Sequence, residues 1–368
     1  MFSKSYHEAS KLQPVKQADG DGRFFKLEYM KIKFARMVWG ATLLGALLGS
    51  NCASAADADT TTNSAPPALG AAALATDVNG DFAIGPDYTN APELTVREDV
   101  PKGVVHEFTM DSADSKIYPG LNGPYKRGVW VYVPAQYKPG AAAPFIVAQD
   151  GKGYTNRLPV ILDNMIPDHR LPVMIAIMIN SGGGDGKGSE RGLEYDTLSD
   201  KYTTFIETEV LPRITKDYGV KFTTDPEGRA TMGGSSGAAC AFTMAWFRPD
   251  LYRRVLSYSG TYVNQQSPEN PASPHGAWEY HEHLIPQTAL KPLRLWLQVG
   301  ELDLGYQKDE ASYHNWVLAN QRMAAALKAK GYPYRYVFCA GAKHVDRKAV
   351  GQTLPDALRW LWMGYPLE

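Results

Sequence analysis

Ala230–Gly260 reads "ATMGGSSGAACAFTMAWFRPDLYRRVLSYSG", and the serine pair between its glycines decides how the whole chain is read. Gly233-Gly234-Ser235-Ser236-Gly237 satisfies the spacing G-x-S-x-G only with Ser235 at its centre. Arg229–Gly234 before it is strand-like and Ser236–Phe247 after it is helix-like, the setting that a nucleophile elbow requires. Such a turn strains the serine backbone, so the residues two places to either side must be nearly without side chains. It would lift Ser235 Oγ out of the sheet and offer the backbone N–H of Ser236 to a developing oxyanion. Ser236 fails the central role, because Gly234 and Ala238 would flank it.

A serine hydroxyl needs a base, and the base needs a carboxylate to orient it. In a strand-turn-helix setting of this kind the chain order is serine, acid, histidine. The strand-like "LRLWLQVG" (Leu293 to Gly300) is followed by "ELDLG", which offers Glu301 and Asp303, with Asp309 close by. The last strand-like run, "YRYVFCAG" (Tyr334 to Gly341), is followed by His344. His275, His281 and His283 precede the acid and fall in the wrong order, and "HEH" at His281–His283 reads as a solvated loop without zinc-ligand spacing. A second oxyanion donor is expected in the loop after an early strand, where "FIVAQDGKGY" places Asp150, Gly151 and Lys152; the backbone N–H of Gly151 or Lys152 is the candidate.

Outward from the elbow, short apolar runs alternate with helical stretches. Gly128–Pro134, Pro144–Gly151, Leu171–Asn180, Arg229–Gly234, Arg254–Gly260, Leu293–Gly300 and Tyr334–Gly341 read as strands. Several are apolar almost throughout, as strands covered on both faces are. Thr203–Asp217, Ser236–Phe247, Asn315–Lys330 and Leu354–Met363 read as helices. The alternation predicts an α/β fold with a mostly parallel central sheet and helices on both faces, whose sites form at the carboxyl ends of strands.

"MKIKFARMVWGATLLGALLGSNCASAADA" begins at Met30 with three basic residues, runs apolar from Met37 to Leu48 and ends in Ala53-Ser54-Ala55. That is the three-part pattern of a secretory signal peptide cleaved after Ala55, and the run is too short and too broken by glycine to span a membrane well. Residues 1–29 are then an upstream extension and Met30 the start of translation. Residues 30–55 are the signal, 56–80 a disordered linker rich in small and polar residues, and 81–368 the folded domain, exported to the periplasm or secreted. Asp77–Asp81 reads as a surface turn rather than a calcium loop, since Phe82 stands where a glycine is required. After cleavage Cys240 and Cys339 remain, read as buried thiols, with a disulfide as the alternative.

The chain has 368 residues, 44% of them hydrophobic, and 38 Lys plus Arg nearly balance 39 Asp plus Glu. That balance gives no reason to expect nucleic acid or an anionic membrane as partner. No fixed-period repeat is present.

The stretch from about Asp81 to the C-terminus resembles the Putative esterase family of α/β-hydrolases, which includes enterochelin-type siderophore esterases, feruloyl esterases and acetyl esterases. The segments that carry the resemblance are "VWVYVPAQY", "FIVAQDG", "RGLEYDTLSDKY", "DPEGRATMGGSSGAACAFTMAWFRPDLYRRVLSYSGTY", "NWVLANQRMAAALKAKGYPYRYVF" and "LPDALRWLW". The resemblance implies Ser235 as nucleophile, Asp303 as acid and His344 as base. It departs at the histidine loop, where Lys343 precedes His344 and no second histidine follows.

Two further segments offer substrate contacts. "RGLEYD" brings Arg191, Glu194 and Tyr195 after a glycine-rich run: Arg191 is a candidate for a substrate carboxylate or phenolate, or it pairs with Glu194 to brace the loop. Trp278 and Tyr280, in the insertion before "LRLWLQ", are candidates for the wall of an aryl or sugar pocket, or they pack that loop onto the domain. The expectation is a serine carboxylic-ester hydrolase without metal or organic cofactor, acting on a siderophore, a feruloylated or acetylated polysaccharide, or a small metabolite ester. An acyltransferase using the same residues and an inactive esterase-like binding protein are the alternatives.

Overall fold

The computed structural model describes residues 77–266 and 268–367. The upstream extension, the signal segment and the linker as far as residue 76 lie outside the described residues. The last linker positions belong to the fold: Arg359 donates to Asp77 at 2.6 Å and a strand begins at Gly80.

Nine strands form one sheet: β1 Gly80–Ile84, β2 Val104–Asp111, β3 Lys126–Val133, β4 Phe145–Gln149, β5 Ile175–Ile179, β6 Arg229–Gly234, β7 Arg254–Tyr258, β8 Arg294–Leu302 and β9 Tyr334–Lys343. Their spatial order is β1-β9-β8-β7-β6-β4-β5-β3-β2. Only the β2–β3 and β3–β5 pairings are antiparallel. Strands β4 and β5 are buried at every position, and alternate residues enter different cores. Phe145, Val147, Ile175 and Ile177 face one core, while Ile146, Ala148, Ala176 and Met178 face the other. The first core is closed by α2 Glu190–Tyr195, α3 Lys201–Phe205, α4 Leu211–Tyr218, α5 Ser236–Phe247 and α6 Trp316–Lys330. The second is closed by α1 Leu158–Met165 and α7 Arg347–Leu361. Each fully buried aliphatic or aromatic side chain contributes about 1.5–3 kcal/mol, which is why these uninterrupted apolar runs settle at the centre.

The chain leaves β4 through α1 toward β5, whereas it leaves β6 through α5 toward β7. Adjacent strands whose connections depart in opposite directions open a crevice at their carboxyl ends. The turns after β4 and β6 flank that crevice.

The expected elements are present, with differences that have local causes. The expected helix 203–217 contains a wider turn at Ile206–Val210, where the N–H of Leu211 bonds to the carbonyl of Ile206. Pro212 follows directly and has no N–H to give the regular ladder. Helix α7 starts at Arg347 rather than Leu354, because Asp346 caps it by accepting from Lys348 N at 2.9 Å and Ala349 N at 3.1 Å. Pro355 lies inside this helix, and the carbonyl of Gly351 that it leaves without a donor takes the N–H of Ala91 at 3.1 Å. Strands β1 and β2 were not anticipated; each sits at an edge of the sheet, where β1 is buried only from Phe82 to Ile84 and β2 has no fully buried residue. Cys240 and Cys339 are both buried and unpaired as thiols. No described helix is long and apolar enough to cross a membrane.

A buried ion pair anchors α2 to the sheet. Arg127 on β3 donates to both oxygens of Glu194, at 2.8 and 2.7 Å, and both side chains are almost wholly enclosed. Tyr125 Oη and the N–H of Gly182 also donate to Glu194, at 2.6 and 3.1 Å. The expected pairing of Arg191 with Glu194 is therefore corrected, since Glu194 points inward to Arg127. Removing one partner from such a pair leaves a buried charge and costs about 3–5 kcal/mol. Arg127→Met should lower the guanidinium unfolding midpoint accordingly, and Arg127→Met with Glu194→Leu should recover much of the loss. A single variant as stable as the native protein contradicts this account.

Candidate active site

Ser235 sits between β6 and α5 with φ 59 and ψ −129, a backbone conformation that side chains avoid. A Cβ at Gly233 would lie 2.4 Å from the carbonyl of Gly237, so the helix approaches the strand as closely as its backbone allows. The turn is clamped by Ser235 N donating to Tyr258 O at 2.9 Å and Thr261 N donating to Ser235 O at 3.2 Å. Holding a residue there costs on the order of 1–3 kcal/mol, which these bonds and the packing of α5 offset. Ser235 Oγ lies 3.4 Å from Thr261 Oγ1, which also accepts from Trp316 Nε1 at 3.2 Å.

Asp303 follows β8 and is 1% exposed. Its Oδ1 accepts from His344 Nδ1 at 2.6 Å and Leu304 N at 2.7 Å, and its Oδ2 accepts from Ser259 Oγ at 2.6 Å. Glu301 instead accepts from Gly341 N, and Asp309 caps the turn Glu310–Ser312, so neither competes for the histidine. With Nδ1–H committed to Asp303, His344 keeps Nε2 as an acceptor. Ser235 and His344 line one cleft of about 510 Å³ together with Asp150, Tyr154, Arg157 and Arg347. Ser259 is a residue that the sequence reading passed over as a strand end: its Oγ also accepts from Val345 N at 2.9 Å, joining the acid to the histidine loop.

Two backbone donors follow residues that line the cleft, Ser236 after Ser235 and Gly151 after Asp150. Ser236 is the first residue of α5, so its N–H has no intrahelical acceptor. Gly151 opens the short helical turn Gly151–Gly153 after β4, and a Cβ there would lie 2.2 Å from the backbone nitrogen of Ile179. Lys152 is corrected as a donor: its N–H is spent on Asn180 Oδ1 at 3.0 Å.

The proposed substrate contacts fare differently. Arg191 lines the cleft, but its Nε and Nη2 hold the two oxygens of Asp150 at 3.1 and 2.8 Å, and Nη1 holds Asp185 at 2.7 Å. Tyr195 is buried, and its hydroxyl accepts from Asp150 N at 3.2 Å, so it braces the loop after β4. Trp278 and Tyr280 are fully buried: Trp278 packs on His281 and Tyr313, and Tyr280 shares a 2.8 Å hydrogen bond with Thr243. Neither lines the cleft. "HEH" lies in the helical turn Tyr280–Leu284 rather than a solvated loop, where burial near Arg322 brings the His281 imidazole down to about 3.

Beneath the Ser236 donor lies Asp196, 3% exposed, which accepts from Ser236 Oγ at 3.1 Å and Gln265 Nε2 at 3.4 Å. Burial pushes its carboxyl up to about 7, against the pull of the Ser236 hydrogen bond.

Residues 123–361 match the family described as "Putative esterase". The match spans more than half of the chain, and the chain belongs to this family: it is a carboxylic-ester hydrolase of the α/β-hydrolase fold. Solved structures of similar fold include a ferulic acid esterase from Anaeromyces mucronatus, with 15% identity, 74% of this chain and 96% of that one covered, and a TM-score of 0.54. An enterobactin esterase from Shigella flexneri shows 18% identity, 72% and 61% coverage, and a TM-score of 0.52. A ferric enterobactin esterase from Salmonella typhimurium shows 20% identity, 70% and 58% coverage, and a TM-score of 0.53. No curated protein matches the chain significantly.

The Asp196 carboxyl makes a pH prediction. Its folded value, about 7, lies above the ordinary aspartate value of 3.8, so the folded protein keeps a proton that the unfolded chain has released. The stability tied to this proton is complete below about pH 4 and is lost as pH rises toward 7. Asp196→Asn has nothing to titrate there. Its stability relative to the native protein should therefore rise between pH 4 and pH 8 by an amount on the order of 2–4 kcal/mol, read from urea unfolding. A pH-independent difference contradicts the assignment.

Proposed function

We propose that the protein cleaves carboxylic esters through Ser235, His344 and Asp303 by way of an acyl-enzyme. His344 Nε2 takes the hydroxyl proton as Ser235 Oγ bonds to the ester carbonyl carbon. The carbonyl oxygen gains the negative charge and is held by the N–H groups of Ser236 and Gly151. When the tetrahedral carbon collapses, its bond to the leaving oxygen breaks and His344 hands the proton to that oxygen. Water, deprotonated by the same imidazole, then attacks the acyl carbon; the acid departs and the proton returns to Ser235 Oγ. Asp303 keeps Nδ1 protonated and stabilises the imidazolium.

One observation carries this reading. A single cleft exposes a serine on a strained strand-to-helix turn and a histidine whose Nδ1 is fixed 2.6 Å from a buried carboxylate. The neighbours named for ferulic acid and enterobactin support esters of feruloyl or siderophore type as substrates. Ser235→Ala should lower kcat on short aryl esters about a thousandfold or more, as loss of a nucleophile does elsewhere. Hydrolysis that persists in this variant removes Ser235 from the mechanism.

We also infer that the protein is exported, on the strength of the basic, apolar and small-residue segments of residues 30–55. The mature chain should begin at Ala56 on N-terminal sequencing. A mature chain that begins at Met1 or Met30 contradicts export by cleavage.

A further inference from the structure

Four cationic side chains line the cleft: Lys152, Arg157, Arg191 and Arg347. They are not equivalent. Arg191 is committed to Asp150, the carboxylate that lines the cleft with it, and to Asp185 outside. Lys152 lies over the ring of Trp130, its nitrogen 5.0 Å from the centroid. Among the described residues, neither Arg157 nor Arg347 forms a salt bridge with a carboxylate. Asp346, the acid next to Arg347, gives its oxygen to the first turn of α7.

Arg157 instead donates to a cation's backbone. Its Nη2 lies 3.4 Å from the carbonyl oxygen of Arg347, the first residue of α7, and both side chains line the cleft. Burial, with the charge of Arg347 added, holds the Arg157 guanidinium below its usual range. Two guanidiniums that line one cleft without a carboxylate partner repel each other, and an anion bound in that cleft offsets the repulsion. The planar fork of arginine suits oxyanions in particular, because two parallel N–H groups match two oxygens. Their place in the fold ties them to the chemistry. Arg157 follows the Gly151 turn that carries an oxyanion donor, and Arg347 follows His344 by three residues.

We propose that Arg157 and Arg347 form an anion subsite of the cleft, and that the substrate is an ester bearing a carboxylate or phosphate group; the inference rests on the ester-hydrolase reading above. The role considered for Arg191 in the sequence thus passes to two arginines that the motifs did not single out.

The test compares phenyl acetate with the same acetate carrying a ring carboxylate, with one carrying a ring phosphate, and with the phenyl hemiester of succinate. At least one anionic ester should exceed the neutral one in kcat/KM by about 10- to 100-fold, the range of one or two charge-assisted hydrogen bonds. The best of them identifies the anion and the side of the ester that carries it. The anionic-to-neutral ratio should fall toward one in Arg157→Gln with Arg347→Gln, and should shrink at high salt in the native enzyme. Neutral ester cleaved as fast as every anionic ester overturns the inference and leaves the hydrolase reading intact, as does a ratio that survives the double substitution. Cleavage of no ester overturns both.

Discussion

Helix α5 rests on strand β6 with no room for a side chain where Gly233 faces Gly237, and much of the site depends on that contact. The helix can lie so deep because eleven of its twelve residues are buried and many are Gly or Ala. Brought this close, the chain between strand and helix must turn within one residue, and that residue is Ser235 at φ 59. Its hydroxyl is thereby turned toward the cleft, and the first N–H of the helix is left beside it without an acceptor. The serine hydroxyl at the cleft and the unpartnered helix N–H are thus two outcomes of one packing constraint.

Electrostatics around the cleft divides into charges spent on structure and charges left over. Arg127 and Glu194 neutralise each other in the interior and fix α2. Arg191, on that helix, then reaches Asp150, while Tyr195 of the same helix supports the backbone of Asp150. One short helix therefore holds the loop that bears Gly151, using a salt bridge on the cleft wall and a hydroxyl beneath it. The arginine that looks most functional from sequence is the most fully compensated.

The central strands, the elbow and the order of serine, acid and histidine were legible in the residues themselves. Apolar runs such as "FIVAQ" and "IAIMI" admit only a doubly covered strand at that length, and glycine spacing admits only Ser235. Legibility failed where a tertiary partner overrides a local signal. Pro355 marks a helix start by local rules, yet α7 runs through it because Ala91 supplies the missing hydrogen bond. Lys152 and Gly151 are indistinguishable as backbone donors until Asn180 takes one of them. Trp278 and Tyr280 carry no mark in the sequence that separates a pocket wall from a core. Ser259 escaped notice because its role is to join two loops that lie far apart along the chain.

Backbone strain gives the site a common feature that no single residue reveals. Among the described residues, six other than glycine have positive φ, and four of them border the cleft or its acid: Asp150, Ser235, Ser259 and Val345. Each lies just beyond a parallel strand, β4, β6, β7 or β9, and each has its N–H engaged by a neighbour. Asp150 N is held by Tyr195 Oη, Ser235 N by Tyr258 O, Ser259 N by Gln298 O and Val345 N by Ser259 Oγ. Three of those bonds tie the turn of one strand to a residue of another strand or of its loop, so the turns are cross-linked. Strain persists only where the surroundings over-determine it. Here the over-determination runs across the strand ends that carry Gly151, Ser235 and His344. Under the proposed mechanism, a proton passed between Ser235 and His344 gains from turns that cannot drift.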